Sequence, residues 1–248
     1  MFLPIRRHYF SDKINREVKE IYWQALLANL AGSMTMLFEP IFLYSLHYSI
    51  QQILWFYMLV YLCYVILITP AAKLTSIIGY KHAIFWSNIF YVAYWVLLYH
   101  VQSQPALFMM APLFFALQKS FFWPPYHADI AVNAKSRQRG REVGVLFALI
   151  QIADIGGPFL GGLVSAAFGF RMLFIVAAVL MLVSAYPLFR SAEIYNRHVF
   201  RFRNFWKILR QYPRNFFAYW GYAEDTMLMT LWPIYIFMVV PELLDVGF

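Results

Sequence analysis

Long apolar runs set the pattern of this chain, and seven of them reach the length of about 20 residues that a helix needs to cross a bilayer. They cover about Ile21–Leu46, Ile50–Thr69 (ended by Pro70), His82–Val101, Pro105–Val132 (interrupted by Pro124 and Pro125), Glu142–Phe168, Met172–Leu188 and Asn215–Val240. The loops Ser45–Gln51 and Val101–Gln104 and the turn Gly169–Phe170–Arg171 are short enough to hold adjacent spans antiparallel in one bundle. The pattern therefore predicts an all-α fold, a polytopic membrane helix bundle. Its parts are an N-terminal segment, 1–20, a bundle of six transmembrane helices, 21–190, a basic amphipathic linker, 191–213, and a seventh transmembrane helix in 214–248.

Composition agrees. The chain is 62% hydrophobic and 21% aromatic with only 13% charged residues, where a soluble domain carries about a quarter, and its mean hydropathy is +0.58. One cysteine, Cys63, lies in an apolar run and reads as a small buried residue; it allows no intramolecular disulfide and no cysteine metal cluster. The N-terminus lacks the apolar core of a cleaved signal peptide. The histidines are scattered, and no phosphate-binding glycine loop, nucleophile motif or zinc signature occurs, so neither a cofactor nor an enzymatic activity is expected. The 25 Phe, 18 Tyr and 8 Trp are expected mostly at lipid-facing and interfacial positions, with a few lining a cavity.

The charges add an orientation. Of the 20 Lys and Arg, 18 fall before the first span or in the loops after the second, fourth and sixth; only Arg171 lies opposite, and Lys119 is inside a span. By the positive-inside rule the N-terminus and the basic loops are cytoplasmic, in a multi-pass protein of the cell membrane. The net charge of +8 is then topogenic, so the bilayer is an expected partner and nucleic acid is not. In the linker, Phe200, Phe202, Phe205, Trp206, Ile208 and Leu209 interleave with Arg201, Arg203, Lys207 and Arg210, a mixture suited to the cytoplasmic headgroup region.

Polar residues inside the spans are the candidates for chemistry, because a charge at the bilayer centre costs about 2.5–3.5 kcal/mol even on insertion scales. Lys119 lies mid-depth in the fourth span, and Asp154 with Gln151 mid-depth in the fifth. These two spans are sequential and antiparallel, so Lys119 and Asp154 are expected at similar depth, as a pair lining a cavity or as a permanent structural ion pair. Glu39 ends a small and polar stripe, Gln24, Ala28, Gly32, Thr35, Glu39, that should face protein or water. It is a second protonatable candidate, or else an acid at the outer rim reached by water. Lys119, Trp123, Tyr126 and His127 share one face of the fourth span, with Asp129 on its flank; His127 and Asp129 read as water-satisfied residues at the cytoplasmic end. Glu224 and Asp225 lie in the inner half of the seventh span.

Two further patterns carry a resemblance. Shifting the chain by 193 residues lays Met34, Met36, Pro40 and Ile41 on Met227, Met229, Pro233 and Ile234, which describes a parallel repeat of six-helix units. The stretch Gly144 to Gly162 carries Gly144, Ala153, Gly157-Pro158 and Gly161-Gly162, small residues that let helices approach closely. The layout resembles the major facilitator superfamily of secondary transporters, and the stretch is similar to that family's antiporter signature, with Ala153 in place of one glycine. The family's loop signature between the second and third spans is matched poorly. Gly79 and Lys81 remain, and Ser76 stands where the acid would be. Arg139-Gly140-Arg141 before the fifth span is also family-like.

The resemblance implies one six-helix half plus the first helix of a second half, so a missing C-terminal half is an expected partner. It implies a secondary transporter of a small solute, with proton-coupled export through Asp154 or Glu39 as its sharper form. The substrate and proton pathway would comprise Asp154, Lys119, Glu39, Gln151 and Trp123. The alternatives are a seven-helix receptor or signalling protein, a membrane-embedded enzyme, and a truncated half-transporter that does not transport.

Overall fold

The computed structural model describes residues 16–133, 139–193, 202–214, 222–240, 242 and 246–247. Most of the N-terminal segment and the loop cations Lys135, Arg137, Arg197 and Arg201 lie outside the described residues, as do the side chains of Arg139, Glu224 and Asp225. No strand occurs among the described residues.

The first span is two helices in line, α1 (Arg16–Met36) and α2 (Phe38–Ser45). Pro40 has no N–H for the carbonyl of Met36, so the hydrogen-bond ladder breaks at Leu37 although Leu37 keeps helical dihedrals (φ −71°, ψ −33°). Helix α3 (Ile50–Ile78) opens on a capping box: Gln52 N–H donates to Ser49 Oγ at 3.2 Å, and Ser49 N–H to Gln52 Oε1 at 2.8 Å. It does not end at Pro70. A proline removes one ladder bond, and the turns beyond it are held by Ala71, buried against Ala83 and Phe121.

Gly79, in a backbone conformation open mainly to glycine (φ 94°, ψ 163°), separates α3 from α4 (Tyr80–His100). Helix α5 (Leu107–Asn133) runs unbroken through Pro112, Pro124 and Pro125. Helix α6 (Arg139–Ser184) doubles back at Gly169 (φ 78°, ψ 172°), which makes it the fifth and sixth spans joined by one residue. A short 3₁₀ turn (Tyr186–Arg190), α7 (Phe202–Gln211) and α8 (Tyr222–Val239) complete the order.

Three stretches, Val18–Ser45, Ile50–Ile78 and the folded Gly140–Arg190, are long and apolar enough to cross a membrane. Helices α4 and α5 are also long, at 21 and 27 residues, but α4 is rich in Tyr and Trp, and α5 carries Gln118, Lys119, Ser120, His127 and Asp129. On α3, Trp55, Met58, Leu62, Val65 and Ile66 form an exposed stripe at helical spacing, as a lipid-facing side should.

Packing does not follow chain order. The α6 limbs lie along α1, α5 packs on α3 and α4, and α8 packs on α2. Thus the two segments related by the internal shift meet each other, with Ile41 and Ile234 both buried. The largest core surrounds Phe42, Phe56, Tyr94, Trp95 and Phe115. A second core at the basic end joins Ile21, Ala25, Ile84, Tyr126, Leu146 and Leu188.

Candidate functional site

The polar stripe of the first span faces protein. Gln24, Ala28, Thr35 and Glu39 are buried, and Gly32 lies against the Tyr91 ring. Glu39 is 1% exposed, so it is not an acid at a wetted rim. Both of its oxygens are taken by consecutive residues of α4: Tyr94 Oη donates to Oε2 and Trp95 Nε1 to Oε1, each at 2.8 Å. Neither donor carries a charge, so hydrogen bonds rather than a salt bridge hold this carboxyl in place.

Behind the donors stands a block of rings. Tyr94 stacks on Phe115 (centroids 4.6 Å apart, 16°), and Tyr91 stacks on both Trp95 (4.2 Å) and Phe115 (5.4 Å). Lys119, one turn along α5 from Phe115, sets its ammonium over that ring at 4.5 Å and near the Tyr61 ring at 5.6 Å. Lys119 and Glu39 therefore sit at the two ends of an aromatic stack.

The expected pairing of Lys119 with Asp154 is not formed. Helix α5 packs on α3 and α4, whereas the limb of α6 that carries Asp154 packs on α1, so spans adjacent in sequence carry the two charges to different partners. Asp154 Oδ1 accepts a 2.5 Å hydrogen bond from Ser33 Oγ across the α1–α6 contact. Gln151, one turn earlier, is exposed, and Trp123 is 37% exposed with its ring stacked on His127. Asp129 is buried, contrary to the expectation of a water-satisfied residue at a helix end.

The glycine stretch meets α1 at close range. A Cβ on Gly157 would lie 2.5 Å from Ser33 Cβ and 3.0 Å from Met34 N, and one on Gly161 would overlap the Met34 carbonyl. Gly162 and Pro158 lie against Gly247, and Ala153 is buried. Around Gly144 and Gly156 there is open space.

At the basic end, Glu193, just after the sixth span, caps α4. Its Oε1 and Oε2 accept from the backbone N–H groups of Lys81 and His82 at 3.1 Å, and His82 Nδ1 lies 2.7 Å from Oε2. Lys81 Nζ donates to Ser191 Oγ and to the Ala192 carbonyl, the latter at 2.9 Å, and Ser191 Oγ donates to Glu20 at 2.5 Å. Gly79 and Lys81 are thereby tied to the end of the sixth span. Across the same end, Tyr22 Oη donates to the Glu142 carbonyl at 2.9 Å, next to the partly buried Arg141.

Sequence reasoning missed Tyr94, Trp95, Phe115, Ser33 and Glu193. A usable signal was present for part of this set: Tyr91, Tyr94, Trp95 and Leu98 fall at the i, i+3, i+4, i+7 spacing of one helix face, and all four are buried. The family model of the Major Facilitator Superfamily matches residues 21–244. Comparison with curated proteins gives no match.

Proposed function

The chain belongs to the major facilitator superfamily, and we propose that it forms the first six-helix half, and the opening helix of the second, of a proton-coupled transporter for a small solute. Members of this family are membrane transporters, and a multi-pass membrane protein follows from membership. In the proposed protein the basic end is cytoplasmic, the linker 191–213 joins the halves, and the two halves rock about a mid-membrane site.

One observation carries the coupling: Glu39, a fully buried acid inside a transmembrane helix, held by two neutral donors. Ionising such a group in hydrocarbon is costly, so its proton leaves readily only when water or a cation reaches it. Opening the bundle to one side would supply that contact, and closing it would withdraw it. Asp154, nearer the surface and bonded to Ser33, is the second acid of the proposed pathway, which also takes in Lys119, Gln151 and Trp123. Export rests on the antiporter-like run Gly144 to Gly162. Its tight seating on Ser33 and Met34 supports a rigid α1–α6 unit that moves as one body.

The test is transport by the full-length protein in proteoliposomes under an imposed pH gradient. Solute flux should follow the gradient, and Glu39→Gln should remove that response while leaving solute exchange at equal concentrations. Flux indifferent to the gradient in the unaltered protein would reject the coupling.

A further inference from the structure

Resting on that transport reading, we propose that the transported solute carries an anionic group, a carboxylate on an apolar or aromatic frame, and that Lys119 receives it. Lys119 lies 12 residues into α5 and 14 from its end, roughly 18 and 21 Å along the helix axis at 1.5 Å per residue, which is mid-depth and far from any lipid headgroup. Among the described residues its ammonium lies over two ring surfaces, Phe115 at 4.5 Å and Tyr61 at 5.6 Å. Rings attract a cation but bring no countercharge.

Among the described residues the two acids of the proposed pathway are bonded elsewhere, Glu39 feeling the lysine charge only at longer range. Glu39 is turned toward Tyr94 and Trp95, with the Phe115–Tyr94 stack between it and the lysine. Asp154 is bonded to Ser33 on another helix pair. A half-buried cation at this depth, with no carboxylate within ion-pair distance among the described residues, gains from any anion that reaches it, more strongly than it would in water. The surroundings describe the rest of such a ligand: Tyr61, Phe115 and, one turn along, the exposed Trp123 offer flat ring surface, edged by the Tyr61 hydroxyl and the Trp123 indole N–H. A cationic solute would instead meet repulsion from Lys119.

Three probes of one shape separate the possibilities: benzoate, benzamide and benzylamine. Each is titrated into the full-length protein in nanodiscs of uncharged lipid, with thermal unfolding as the readout. Benzoate should stabilise saturably, benzamide should bind about tenfold more weakly or less, and benzylamine should give no shift. Lys119→Arg should retain benzoate binding, while Lys119→Gln should lose it by about tenfold or more with an unchanged unliganded transition. Lys119→Met, which keeps the apolar stem, takes the place of Lys119→Gln if the latter does not fold. No stabilisation by benzoate, equal binding of benzamide, preference for benzylamine, or undiminished benzoate binding without the lysine charge would each overturn the proposal. Binding is read without flux, so anion binding can hold even where proton coupling fails. Proton-coupled flux without anion binding would defeat only the assignment of the solute.

Discussion

Gly161 lies so close to Met34 that a methyl group on it would overlap the Met34 carbonyl oxygen and come within 2.8 Å of the Phe38 ring. The overlap is with backbone, which cannot swing aside as a side chain can. Gly161→Ala is therefore expected to destabilise the protein by about 1–3 kcal/mol, the usual range for overpacking. Gly156→Ala, in the same helix but facing open space, should be neutral or stabilising by up to about 1 kcal/mol because alanine is the better helix former. Thermal unfolding of the two variants side by side checks this. Equal effects would mean that helix propensity, not contact with α1, governs both positions.

The buried carboxyl of Glu39 makes a second prediction. Trp95→Phe removes the indole N–H and leaves Glu39 Oε1 without its donor, which should cost about 1–3 kcal/mol. In Glu39→Gln the loss from Trp95→Phe should be smaller, since the amide has one acceptor oxygen for the two donors. A double-mutant cycle on unfolding midpoints measures the difference, and strict additivity would show that the indole acts through packing alone.

How much of this was legible beforehand depends on what kind of information each feature needs. The spans and a turn at Gly169–Phe170–Arg171 follow from run length and glycine chemistry, which are local, and the structure narrows that turn to Gly169. Glu39 and Asp154 stand out because a charge in an apolar run is costly wherever it packs. Their partners were not legible. Helix α4 is apolar nearly all round, so the inward turn of Tyr94 and Trp95 depends on which neighbours surround it. The Lys119–Asp154 pairing is absent for a related reason: short loops imply contact between consecutive spans, whereas α5 packs on α3 and α4 and the limb of α6 that carries Asp154 packs on α1. The sequence ends the second span at Pro70, because the compensating burial of Ala71 against Ala83 and Phe121 comes from other helices.

At the basic end, two costs can be separated at Gly79. Its φ of 94° strains any other residue, by about 1–2 kcal/mol, and a Cβ there would also strike the Glu193 carboxylate. Gly79→Ala should thus destabilise the unaltered protein more than it destabilises a Glu193→Ala background, where only the backbone strain remains. Glu193→Ala itself should cost about 1 kcal/mol, the usual worth of a side chain capping a helix N-terminus. Unfolding midpoints of the two single variants and the double variant decide it. Additive losses would place the Glu193 carboxylate away from Gly79 in solution.

Asp154→Asn separates charge from contact. The asparagine amide oxygen can still accept from Ser33 Oγ, so the α1–α6 join should survive with little change in folding yield or unfolding midpoint. What disappears is the exchangeable proton at mid-depth. If Asp154 takes part in coupling, the variant should lose solute flux driven by a pH gradient while retaining solute exchange at equal concentrations. Ser33→Ala is the complementary change: it keeps the acid and removes its donor, so coupling should persist with an altered pH dependence and the helix contact should weaken. Gradient-driven flux that survives in Asp154→Asn would assign the residue to packing and leave Glu39 as the coupling acid.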